Sequence, residues 1–275
     1  MVQIRNLRRR GVRWALLGLG LWAAGTVQAQ LNDTQADQLM KLSGQWEQLE
    51  SVSMQMREGL LKAIANDPKP MGAEAQNKMK AAAVAAFDVD RVRAATRRAV
   101  AENTRVAHLP ELLGWYQSPV ASNISRAEVA DTARAEADVK ARTQRGMAIV
   151  QAASPQRQQV LLRLVEVTRA PRTSADFIIN LGVMMPLALM RFDPAAPQMT
   201  EAELRARLDD QRPQLIQAFE VISLAGFAIT YQGLPDEALT AYAQFLASAA
   251  GEHFADIGEK AFEAALAAAF AALKP

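Results

Sequence analysis

The chain has 275 residues, 50% of them hydrophobic, with 31 Lys and Arg against 29 Asp and Glu and a net charge of +2. That length can bury a core as one domain or as two. There is no cysteine, which excludes thiol catalysis, thiolate metal sites, a Cys-linked lipid anchor and disulfides, so stability has to come from packing.

Arg5, Arg8, Arg9, Arg10 and Arg13 precede an apolar run of eleven residues over 14–24, and Val27-Gln28-Ala29 follows as a small-residue cleavage site. The run is shorter than the roughly twenty residues that span a bilayer. These parts predict a signal peptide over 1–29, cleavage after Ala29 and a periplasmic mature chain. The leader carries five arginines and no acid, leaving 26 basic and 29 acidic residues, a net charge of −3. The basic balance of the whole chain is therefore no sign of nucleic-acid binding.

Residues 31–65 read as one long helix, or two broken near Gly44. Leu39, Leu42, Trp46, Leu49, Val52, Met56 and Leu60 form its apolar stripe. Residues 67–70 are a linker and 73–87 an alanine-rich helix. Asp88 caps a helix over 89–107, with Val92, Thr96, Ala99 and Val106 inward and Arg91, Arg93, Arg97, Arg98 and Arg105 on a solvated face. A helix over 109–116 ends in a corner at Ser118-Pro119. Residues 120–153 then read as one long helix. Glu136/Lys140 and Asp138/Arg142 form i,i+4 pairs, and large apolar residues are so sparse that this arm should stand partly clear of the core.

Ser154-Pro155 starts the next helix, which runs to 168. Thr173 to Asp176 resembles a capping box opening 177–190, fourteen residues apolar on all sides, kinked at Pro186 and expected to be buried. No later segment reads as a membrane span. Helices over 201–212 and 214–231 meet at Pro213. The last helix, 249–273, carries Phe254, Phe262, Leu266 and Phe270 at multiples of four. No sustained alternation with hairpin turns signals a strand.

Two corners organise this series. Leu109, Leu112, Leu113 and Tyr116 share a helix face before Ser118; Leu239, Tyr242, Ala243 and Leu246 do so before Ser248. Phe245 stands where Trp115 does, and Gly251 where Ala121 does, at a constant offset of 130. Such fixed-period similarity suggests an internal duplication. The run Trp115-Tyr116-Gln117-Ser118-Pro119-Val120-Ala121 resembles the signature of a bacterial exported family, catalogued as domain of unknown function 2059, in which a leucine-rich helix leads into an aromatic–Ser-Pro–Gly corner. The glycine is Ala121 in the first copy; the second keeps Gly251 but has Ala249 in place of proline. The resemblance implies an envelope location and a helical fold, and no activity.

The chain contains no nucleophile elbow, P-loop or dinucleotide fingerprint. His108 and His253 are its two histidines; His108 with Glu111 makes a poor metal half-site, and His253 beside Glu252 reads as surface. Asp88/Asp90 and Asp209/Asp210 read as helix-end carboxylates. Trp115, Tyr116 and Ser118 read as core and cap. No catalytic, cofactor-binding or metal-binding residue is assigned, and the chain reads as no enzyme. The expectation is an all-α protein: a signal peptide over 1–29, then two similar multi-helix units over 30–153 and 154–275. Its expected role is non-catalytic, an interaction or scaffold protein of the bacterial envelope with a protein partner. The alternative is a carrier holding an apolar or lipid-like ligand between helices 177–190 and 214–231.

Overall fold

A computed structural model describes residues 30–66, 72–134, 136, 138–192 and 199–274. The leader and the 67–70 linker lie outside them. Among the described residues the chain is all-α: thirteen α-helices, one 3-10 turn and no strand.

Local chemistry sets the helix boundaries. Asn32 and Gln35 form a reciprocal capping box that opens α1 (Asp33–Leu42). Gly44, at φ +78°, breaks the long stripe and starts α2 (Gln45–Ala65). A side chain there would be strained, and its Cβ would lie 2.9 Å from Val129. After α3 (Ala73–Ala86), Asp88 accepts from the Arg91 N–H and opens α4 (Val89–Asn103). This helix ends four residues before the expected 107, because Thr104 turns extended while its hydroxyl caps the Val100 carbonyl at 2.7 Å. Val106 consequently lies in a 3-10 turn (Val106–His108), 39% exposed rather than inward.

α5 (Leu109–Tyr116) and α6 (Pro119–Arg134) meet at Ser118, whose hydroxyl accepts from the Ala121 N–H at 3.1 Å. The expected long helix over 120–153 is two helices instead, the first ending at Arg134 and the next beginning at Val139. Asp138 does not pair with Arg142; it caps α7 (Val139–Ala152) by accepting from the Ala141 N–H. Arg142 instead reaches Asp131 and Glu136. Ser154 caps α8 (Pro155–Thr168) as expected.

α9 (Ala170–Met190) begins earlier than the capping-box reading, because Pro171 fits its first turn and Arg169 takes the left-handed conformation before it. Thr173 and Asp176 lie inside the helix, bonded to Glu259 and Arg212. The helix continues through Pro186 over 21 residues, and α11 (Arg212–Thr230) has 19. Both are long and apolar enough to cross a membrane by length and composition, and their most apolar windows are 22% and 11% buried. The expectation of a fully buried 177–190 fails because its neighbours cover one side, leaving Phe177, Leu181, Met184, Met185 and Leu189 partly exposed. α10 (Glu201–Asp209) opens with a Thr200/Glu203 capping box. Pro213 sits inside the first turn of α11 rather than at a joint. α12 (Asp236–Leu246) and α13 (Ala249–Ala272) meet at Ser248, which accepts from the Gly251 N–H at 3.1 Å.

The contacts of α1 and α2 are echoed by those of α8 and α9. α1 packs on α2, α4 and α5, and α2 on α3, α4 and α6; in the same way α8 packs on α9, α11 and α12, and α9 on α10, α11 and α13. Gly44 and Arg169, the two positive-φ residues described, occupy the α1–α2 and α8–α9 joints. Two helices cross between the regions: α13 lies across α4, and α7 across α11. The arm is therefore not clear of the core. It approaches so closely that a Cβ on Gly146 would lie 2.3 Å from the Ala225 carbonyl oxygen. The main core draws Leu39, Leu112 and Ile124 together with Leu161, Leu239 and Ile257.

Candidate functional site

The seam between the halves is built from the two corners. Trp115 stacks on Phe245 with ring centroids 4.6 Å apart, and Tyr116 meets Phe245 and Phe254 edge-on. Ser248 donates to Glu111 at 2.9 Å while capping α13. Trp115, Tyr116 and Ser118 thus serve packing and capping, as the spacing implied. Asp88 also acts as a cap, and Asp209 pairs with Arg212. His108 stands at a helix end, as expected, while His253 is not a free surface side chain. His108 and His253 stand together with ring centroids 5.0 Å apart, and His253 accepts a hydrogen bond from the Arg105 N–H.

Beside the seam, all three tyrosines of the chain gather around one carboxylate. Tyr231 and Tyr242 donate to the same oxygen of Glu128, at 2.6 and 3.0 Å. Glu128 itself is half-buried. Burial pushes that carboxyl above its usual range, against the two phenol hydrogen bonds that favour its charge. Burial first, and the Glu128 charge second, push Tyr116, Tyr231 and Tyr242 upward. One turn on, Asp131 accepts from Thr230 at 2.7 Å and pairs with Arg142 at 2.6 Å. Arg157 ties the α11–α12 turn through the Leu234 carbonyl and Asp236. Sequence periodicity missed this network because Glu128 sits in a polar stretch of α6 that reads as surface. The chemistry of these groups is that of a latch: carboxylates on α6 hold donors on α11 and α12.

The surface feature able to receive a partner lies elsewhere. A groove enclosing about 560 Å³ runs between α8 and α11 at the start of α9. Leu162, Val165, Ile216, Val221 and Leu224 give it an apolar floor, and Leu162 and Val221 are 55% and 46% exposed. Glu166, Arg169, Arg172 and Glu220 form a rim of both signs. The matching α1–α4 positions carry charged side chains in place of that apolar floor. Asp37 stands seven residues before Gly44, as Leu162 stands seven before Arg169. Arg97 of α4 reaches Asp37 and Asp33 at 3.6 and 3.9 Å. Arg93 lies over the Trp46 ring, 4.7 Å from its centroid, and bonds Glu50 at 3.0 Å. Two of the arginines expected on a solvated face thus seal α4 onto α1 and α2. A second hollow of about 600 Å³, beside the α1–α2 joint, mixes Val129 and Tyr116 with Lys41, Glu47 and Arg126.

No family model, no curated protein and no solved structure matches this chain.

Proposed function

We propose that this chain is an exported, non-catalytic interaction protein of the bacterial envelope. In this reading it is built by doubling one six-helix unit, each copy carrying a degenerate form of the corner that resembles the family of unknown function 2059. Its partner surface is the groove between α8 and α11. The leader sequence and the aromatic–Ser-Pro corner support the location and the kinship. The matched packing of α1–α6 and α8–α13 and the two left-handed joints support the doubling.

One observation carries the functional reading. The two regions show similar packing, yet ion pairs stand in the first where the second exposes Leu162 and Val221. A requirement of the fold would apply to both places. An open trough with an apolar floor and charges of both signs on its rim suits an amphipathic helix from a partner protein. A carrier of a lipid-like chain would enclose most of its ligand in a deeper cavity.

The test uses the mature chain, 30–275, as bait in a periplasmic extract, beside Leu162→Glu and Asp37→Ala variants. Recovery of one specific protein by the unsubstituted chain and by Asp37→Ala, but not by Leu162→Glu, supports the reading. Equal recovery by all three removes the groove from it. A bound lipid lost from Leu162→Glu, seen by native mass spectrometry with no protein partner, replaces it with the carrier.

A further inference from the structure

Two histidines 145 residues apart meet at the contact between the α4–α5 connection and α13. The Arg105 N–H donates to His253 Nε2 at 3.0 Å, so Nε2 holds a lone pair and no proton in this arrangement. This bond ties the α4–α5 connection to α13.

The echoed packing does not require it. Under the 130-residue offset the matching positions are Pro235 and Asn123, and a proline has no N–H to donate. The contact is therefore particular to one side of the molecule.

The surroundings make it sensitive to acid. Arg105 and His108 face His253 from the connection, and Lys260 faces it from α13 itself. Asp256, one turn along α13, is the acid that acts on it, and Asp256 is paired with Arg169 at the start of α9. Protonating Nε2 turns the acceptor into a donor, breaks the bond from Arg105 and sets a new cation against three basic neighbours.

We propose that His108 and His253 form an acid-released clasp that holds the α4–α5 connection against α13 at neutral pH and lets it open when His253 takes up a proton. Burial first, then Arg105 and His108, hold His253 below its ordinary value of 6.5. The fold therefore gains stability from His253 above that value and loses it as pH falls toward the depressed folded value. The clasp involves no residue of the groove floor and stands whether or not the groove binds a partner.

The experiment is amide exchange of Arg105 in the isotopically labelled mature chain at about pH 7.5 and about pH 5, corrected for intrinsic exchange; losing one hydrogen bond corresponds to roughly tenfold. A fall in protection of that size is expected on acidification. His253→Gln keeps a neutral acceptor, so its protection should not change with pH. In His108→Gln the transition should move to higher pH, because a neighbouring cation is gone. Unchanged protection in the unsubstituted chain, or an equal fall in His253→Gln, overturns the proposal. If His253→Gln does not fold, the His253 ring titration in the unsubstituted chain decides. A midpoint below 6.5 is expected, and one at or above that value overturns the clasp.

Discussion

At the scale of single residues, Glu128 shows how a cost can be retained inside a well-packed seam. Its charge is opposed by burial although Tyr231 and Tyr242 both donate to one of its oxygens. Its folded value lies above the ordinary 4.5. The stability it contributes is thus complete below that ordinary value and is lost as pH rises through the raised one. Glu128→Gln preserves an acceptor oxygen for both phenols and has no charge to bury. The variant is expected to melt at higher temperature than the unsubstituted chain at about pH 8, with the gap narrowing toward about pH 4. Thermal melts of both proteins across that range check it. A gap that widens on acidification would mean that the carboxylate is stabilised where it lies. The carboxylate's partners come from residues 103 and 114 positions away, so no local pattern in the sequence could announce them.

At the scale of helices, much was legible because caps are local. Asn32, Asp88, Ser118, Ser154 and Ser248 each accept from the third N–H that follows, and each marks a start that the sequence reading placed within a few residues. Misplaced boundaries have tertiary causes. Arg169 adopts φ +54°, a conformation that an arginine does not advertise, and moves the start of α9 away from Thr173. The groove was illegible for the same kind of reason. Leu162 and Val165 lie on an ordinary amphipathic helix, and only the position of α11 leaves Leu162 uncovered.

The two corners repeat the same backbone bonds at offset 130, Ser118 to the Trp115 carbonyl and Ser248 to the Phe245 carbonyl, each at 2.9 Å, but they differ in tolerance. Ala121 carries its methyl in the first corner, 1% exposed. At Gly251 an added Cβ would lie 2.0 Å from the Phe245 carbonyl oxygen, so backbone has to move. Gly251→Ala is expected to destabilise by about 1–3 kcal/mol, the range of overpacking. Ala121→Gly requires no backbone shift and should cost about 1–2 kcal/mol, from lost helix propensity and a lost buried methyl. Denaturant unfolding of both variants reads these costs, and no loss of stability in Gly251→Ala would show that the second corner has room the geometry denies it.

At the scale of the whole molecule, two long-range helix crossings tie the N-terminal region to the C-terminal one. α13 buries Phe254, Ile257, Ala261 and Ala265 in the shared core and packs across α4, while α7 lies across α11 with Gly146 against the Ala225 backbone. Cutting the chain at 153/154 strands α7 without α11 and α13 without α4, so both fragments expose surfaces that the intact chain covers. Exposed side chains of this size each forgo roughly 1.5–3 kcal/mol of burial. Several per fragment approach the whole stability of a typical domain, about 5–15 kcal/mol. Fragments 30–153 and 154–275 are therefore each expected to show reduced helicity and no cooperative melt alone. Mixed in equal amounts, they should regain helix content and form a one-to-one complex, because the crossing helices supply complementary faces. Circular dichroism of the fragments and their mixture, with sedimentation of the mixture, reads both outcomes. Two fully helical, cooperatively melting monomers that ignore each other would mean that the crossings are surface contacts between self-sufficient units, and that the seam of Trp115, Phe245 and Glu128 holds together halves already folded.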